Sequence, residues 1–192
     1  MTRIATLLAA IALAGCATTN QPAMENYDFG IPEVRTTEAT ADVYVAEVRA
    51  AEWLGSTDML YRLEYRDPRA LKPYAGSRWA GTPAAMLTSR LRQSVGNGMA
   101  ARGRQTKCTL ALYLSEFSQV FKSEQDSRVV MHLRATLNVA GSGEREKVRE
   151  LRIERPAPAP NAAGEAAAFV EVVKSAADEL NAWIDASGSC RG

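Results

Sequence analysis

Strict alternation of apolar and polar positions is clearest over residues 128–140. Val129, Met131, Leu133, Ala135, Leu137 and Val139 fall on one side of an extended chain, and His132, Arg134, Thr136 and Asn138 fall on the other. A period of two with one polar face is the mark of a strand in a sheet covered on one side only. Upstream, Cys108, Leu110, Leu112 and Leu114 share a face, whereas Phe117 and Phe121 are out of phase with them. A bulge near Ser115-Glu116 accounts for the change. Residues 42–50, with Val43, Val45 and Val48, and residues 59–65, with Met59, Tyr61, Leu63 and Tyr65, predict two earlier strands. Residues 146–154 follow Gly141-Ser142-Gly143 and predict a hairpin partner for the central alternating strand. Two segments switch to the helical period. Thr82-Pro83 is a hydroxyl cap followed by proline, and it precedes Leu87, Leu91 and Val95. A longer helix over 165–186 carries Phe169, Val173, Ala176, Leu180, Trp183 and Ile184 on one stripe. Residues 67–81, with Pro68, Pro73, Gly76 and Trp79, read as irregular, and a short strand is expected near Met99. The expected class is α+β: a largely antiparallel sheet of about five strands with two main helices on one face, in the order β-β-α-β-β-β-α.

The N-terminus follows a different pattern. Arg3 precedes an apolar run from Ile4 to Leu13, which is about ten residues and half of what a spanning helix needs. The run closes on Leu13-Ala14-Gly15-Cys16, small residues leading into a cysteine, as in a bacterial lipoprotein signal. That pattern implies cleavage before Cys16 and acylation of its thiol and new amino group. The expected organisation is a signal peptide over 1–15, a flexible tether over 16–25 and a single domain over 26–192. A tether of that length reaches roughly 15–18 Å, which holds the domain beside the bilayer. Ala17 follows the cysteine where an aspartate favours inner-membrane retention, so the expected location is the periplasmic face of the outer membrane.

Composition narrows the function. The formal net charge is +1, which argues against a dedicated nucleic-acid binder. The distribution is uneven, however: from Arg62 to Lys107 only Glu64 and Asp67 oppose a block of basic residues. Two readings stand, a basic surface facing anionic headgroups or an acidic partner, and charge needed simply to solvate strand and helix exteriors. Cys108 and Cys190 remain after the signal. In an oxidising compartment they form a disulfide, or else one buried thiol and one loose tail thiol. The single histidine, His132, lies on a polar strand face with no metal-ligand spacing around it, and no G-x-S-x-G elbow, Walker loop or dinucleotide fingerprint occurs. The acids Glu124, Asp126, Glu144 and Glu146 fall in hairpin turns. Neither catalytic nor metal-binding residues are expected, and no cofactor beyond the covalent lipid on Cys16.

With the lipoprotein signal, Tyr27-Asp28-Phe29-Gly30, Leu60-Tyr61-Arg62, Tyr74, Arg78-Trp79 and Pro83 before the Leu87/Leu91 helix, the chain resembles the ABC-type transport auxiliary lipoprotein family, the group that includes PqiC (YmbA). The resemblance implies a non-enzymatic, outer-membrane-anchored component of a lipid transport system. Its partners would be an MCE-domain protein, an ABC permease and an ATPase, with phospholipid handling and self-association left open. A structural or assembly lipoprotein that touches no lipid is the alternative. By the same resemblance Tyr74, Arg78 and Trp79 are candidates for a surface that meets a partner or lipid, while Trp79 also suits a plug between sheet and helix.

Overall fold

The computed structural model describes residues 23–32, 41–96, 106–141 and 146–191. The signal peptide, most of the tether and the expected strand near Met99 lie outside the described residues. Within them, the strands are β1 (Glu25–Tyr27), β2 (Val43–Val45), β3 (Arg49–Ala50), β4 (Asp58–Leu63), β5 (Asp67–Trp79), β6 (Cys108–Phe121), β7 (Ser127–Val139) and β8 (Lys147–Pro156). The helices are α1 (Pro83–Ser94) and α2 (Ala162–Ser187), with a 3-10 turn at Glu52–Leu54.

All eight strands join one sheet, in the order β1-β5-β4-β6-β7-β8. β7 pairs with β6 antiparallel along nearly its whole length, and β8 pairs antiparallel with β7. The other edge of β6 is shared by β2, β3 and β4, all parallel to it. β1 is parallel to β5. Among the described residues the sheet therefore has eight strands rather than about five and is partly parallel rather than largely antiparallel. Strands of two or three residues are too short to display a period, and which strand pairs with which is set by distant contacts.

β5 is the second departure from the sequence expectation. Its prolines and Gly76 read as irregular, yet the segment pairs with β4 on one side and meets β1 only at Ser77–Trp79 on the other. Much of its outer edge thus makes no ladder bond, and the missing amides of Pro68 and Pro73 are tolerated there. The pairing with β4 also slips, since Asp58 faces Arg78 while Leu60 faces Pro73.

The expected bulge is present: the β6–β7 register shifts between Leu114 and Glu116. It keeps both halves of β6 facing the helices, with Leu110, Leu112 and Leu114 before it and Phe117, Gln119 and Phe121 after it, all buried. On β7, of the residues expected inside, Val129, Met131, Leu133, Ala135 and Leu137 are buried and Val139 is only partly buried, while His132 and Arg134 face out.

The helices start where side chains satisfy their first amides. Thr82 Oγ1 accepts from the Ala85 amide at 3.3 Å, with Pro83 at the first helical position. Asn161 Oδ1 accepts from the Gly164 amide at 2.9 Å, so α2 begins three residues before the sequence expectation. α2 lays Phe169, Val172, Val173, Ala176, Leu180 and Ile184 on the sheet, and α1 adds Leu87 and Leu91 to the same core. α1 also supports the short strands. The Val48 amide donates to buried Thr88 at 2.8 Å, and Arg92 Nε donates to the Val45 carbonyl at 3.0 Å. Gly188, at φ 67°, ends α2 in a left-handed cap. Two residues later Cys190 is joined to Cys108 in a disulfide, with Cα atoms 5.6 Å apart.

Candidate functional site

The uncovered face of the sheet holds the most chemistry. A cavity of about 300 Å³ opens there between β4, β6, β7 and β8, lined by Arg62, Ser115, Glu116, Arg128, His132 and Arg152 among others. Each guanidinium has a carboxylate partner. Arg62 meets Glu116 at 2.9 Å, Arg128 meets Glu64 at 3.1 Å and Glu154 at 2.9 Å, and Arg152 meets Glu154 at 2.8 Å. Hydrogen bonding to Glu64 holds Arg128 more firmly protonated than an isolated arginine, and Arg152, then Arg128, holds Glu154 below the usual carboxylate range. The cavity is therefore balanced in charge. It presents both signs at a sheet surface and is not an anion trap.

His132 stands on the rim, half-exposed. Its Nδ1 is 3.1 Å from Ser115 Oγ and its Nε2 is 3.2 Å from Glu150 Oε2. A hydroxyl, an imidazole and a carboxylate in a row resemble a relay. Ser115 Oγ is shared with the His132 carbonyl at 3.4 Å, and Glu150 also meets Arg134 at 3.5 Å. These contacts suit a hydrogen-bonded surface ladder. Sequence reading found no acid beside His132, because Glu150 arrives across the β7–β8 hairpin and Ser115 through the bulge. Among the described residues no group of three metal-ligating side chains converges.

The three residues proposed for a partner or lipid surface do not form one. Trp79 is 1% exposed and lies at the centre of an aromatic cluster with Phe29, Phe117 and Phe169, its ring centroids 5.5–5.8 Å from theirs. The surface expectation is thereby corrected for Trp79: burying an indole that size supplies core contacts no surface role would need. Tyr74 is half-buried, and its hydroxyl donates to Gln119 Oε1 at 2.7 Å. Burial, then the neighbouring Glu165 and Tyr61, raises its ionisation well above that of a free phenol. The slipped β4–β5 register turns Tyr74 and Trp79, five residues apart, to the same inner side. Arg78 alone is exposed.

The Tyr27-Asp28-Phe29-Gly30 segment now has a physical meaning. Phe29 is buried against Trp79 and Phe117. Gly30 then turns the chain at φ 67°, a conformation that favours glycine, while its amide donates to Asp28 Oδ1 at 2.7 Å. Arg90 of α1 donates to the carbonyls of Phe29 and Gly30 at 2.7 and 2.6 Å. The segment is a clasp that fixes the start of the domain to α1.

A sheet covered by two helices on one face, over an aromatic core, defines a small α+β module. Residues 30–181 match the family model for the ABC-type transport auxiliary lipoprotein component. The chain belongs to that family. Its fold is similar to that of protein XCC0632 from Xanthomonas campestris, a DUF330 protein, with a TM-score of 0.67 at 22% identity over 85% of this chain and 95% of that one. An uncharacterized protein of known structure is similar at a TM-score of 0.65 and 12% identity, over 84% of this chain and 99% of that one. No curated protein matches the chain. No helix among the described residues is long and apolar enough to cross a membrane.

Proposed function

We propose that this protein is a lipid-anchored periplasmic component of the outer membrane that serves an ABC- and MCE-type lipid transport system without performing chemistry itself. The observation that carries the reading is the family match across residues 30–181. Cys16, at the close of the N-terminal apolar run, provides the acylation point, and Ala17 suits export to the outer membrane. Several acyl chains hold a protein stably where one does so marginally. The domain then acts as a docking module for the transporter's periplasmic MCE-domain arm. Exposed Arg78 and the charge-balanced face around Arg62, Arg128 and Arg152 are available to a polar partner surface.

Crosslinking and pull-down of the lipidated protein should recover an MCE-domain protein together with its permease and ATPase. Repeated failure to recover them under crosslinking would count against the role. Phospholipid found by mass spectrometry on the purified complex separates lipid handling from a purely architectural part. Cys16→Ser should leave a folded, soluble domain that fails to restore transport in a deletion strain; full complementation by it would remove the anchor from the mechanism.

A further inference from the structure

Glu165 sits in the first turn of α2, four residues after the Asn161 cap, and is fully buried. Neither of its carboxyl oxygens has a hydrogen-bond partner. A small polar seat lies beneath that turn. Tyr74 donates to Gln119 Oε1 at 2.7 Å, and Gln119 Nε2 donates to Ser127 Oγ at 2.8 Å and to the Ala159 carbonyl at 3.3 Å. The turn is pressed closely onto the connector before it: a Cβ placed on Gly164 would come within 2.0 Å of the Ala159 oxygen.

The groups facing Glu165 offer no compensation for a negative charge. β5 presents the Tyr74 phenol, whose hydroxyl is given to Gln119, with Tyr61 of β4 packed against its ring. β6 and β7 present the Gln119 amide, which donates to Ser127 Oγ, and the Ser127 hydroxyl, and neither hydrogen-bonds the Glu165 oxygens. On β8, Arg155 is turned to Ser175, more than two helical turns along α2. The positive end of α2 favours an anion, but a carboxylate without partners in the interior loses far more solvation than a helix end returns. Burial accordingly pushes the Glu165 carboxyl well above the usual range.

The opposite end of α2 is pinned. Asn181 donates to the Ser94 carbonyl at 2.8 Å and accepts from the Gly96 amide at 3.0 Å, and the Cys108–Cys190 disulfide follows the helix. Any local release of α2 therefore begins at its N-terminus. Directly behind Glu165, Phe169 stacks on Phe117 with centroids 3.7 Å apart.

We propose that Glu165 is a proton-controlled latch: as the neutral acid it keeps the first turn of α2 seated on the sheet, and on ionisation that turn and the 157–161 connector lift together, uncovering the Phe117–Phe169 stack. A glutamine or leucine would fill the same space without this liability, so the carboxyl is an anomaly that a purely structural role does not explain. The latch does not depend on the transport role proposed above.

Amide hydrogen exchange of the full lipidated chain in detergent, read by mass spectrometry from pH 5 to 9 and corrected for intrinsic rates, tests it. Between the ionisation of an exposed glutamate and that of buried Glu165, opening of residues 157–169 should rise about tenfold per pH unit. Residues 127–139 should not follow, and Glu165→Gln should abolish the rise. A pH-independent wild type, a rise shared by residues 127–139, or a rise retained in Glu165→Gln would each overturn the latch. Should that variant fail to fold, carboxyl ¹³C NMR of the wild-type chain decides: titration of Glu165 in the ordinary glutamate range refutes the proposal, and titration above it supports it.

Discussion

Removing the Cys108–Cys190 bridge gives the sharpest quantitative test of how this domain is held together. The two residues are 82 positions apart, the first opening the central strand and the second lying beyond α2. On the chain-entropy account, closing a loop of that length removes roughly 15 cal/mol/K from the unfolded ensemble, about 4.5 kcal/mol at 25 °C. Typical domains are stable by only about 5–15 kcal/mol, so the bridge supplies a large share. The tail it fixes also contributes locally, because the Asp42 amide donates to the Cys190 carbonyl at 2.7 Å and the Cys108 amide to the Asp42 carbonyl at 3.1 Å. Urea unfolding followed by tryptophan fluorescence should show the Cys108→Ala/Cys190→Ala variant losing about 3–5 kcal/mol, with a steeper m-value because its unfolded chain exposes more surface. A loss below about 1 kcal/mol with an unchanged m-value would refute the reasoning, since the bridge would then constrain neither state.

Three further outcomes follow from single positions. The carboxyl of Glu165 binds its proton more tightly folded than unfolded, so stability is complete below the ordinary glutamate range and falls as pH rises, by at most about 1.4 kcal/mol per unit, until the folded group ionises. Glu165→Gln should therefore match wild type in urea at pH 4 and exceed it at pH 8; equal midpoints at both would contradict the sign. Trp79→Ala should cost about 3–5 kcal/mol by emptying the aromatic cluster, whereas Arg78→Ala should stay within roughly 0.5 kcal/mol. Similar losses at the two sites, in the same urea titration, would mean that Trp79 is not the core plug the structure makes it. Gly164→Ala, favourable by helix propensity alone, should instead destabilise by about 1–3 kcal/mol, because the added methyl meets the Ala159 backbone. A rise in melting temperature would show that the connector yields freely.

What the sequence made legible was whatever repeats within a single element. β6 and β7 were readable down to the bulge at Ser115-Glu116, because thirteen or fourteen residues display a period and its interruption. The cap at Thr82-Pro83 and the apolar stripe of α2 were readable for the same local reason. β5 was not, since proline at a nearly free edge looks the same in sequence as proline in a loop. The parallel pairing of β2, β3 and β4 with β6 was hidden as well. Each is short, and its partner lies far along the chain.

The site chemistry was least legible, and the reason is topological. His132 seemed isolated until the hairpin brought Glu150 beside it and the bulge brought Ser115. An acid in the first turn of a helix, where Glu165 stands, is ordinarily favourable in water. Its meaning inverts once Tyr74, Gln119 and the Ala159 carbonyl close over it, because the same carboxyl then opposes burial instead of assisting the helix. Tyr74 itself was selected as a surface candidate, yet its hydroxyl anchors that buried seat. The residue chosen for contact with a partner and the buried acid thus belong to one feature. That feature, between the first turn of α2 and the edge of β5, is where this fold departs furthest from what a stable core alone requires.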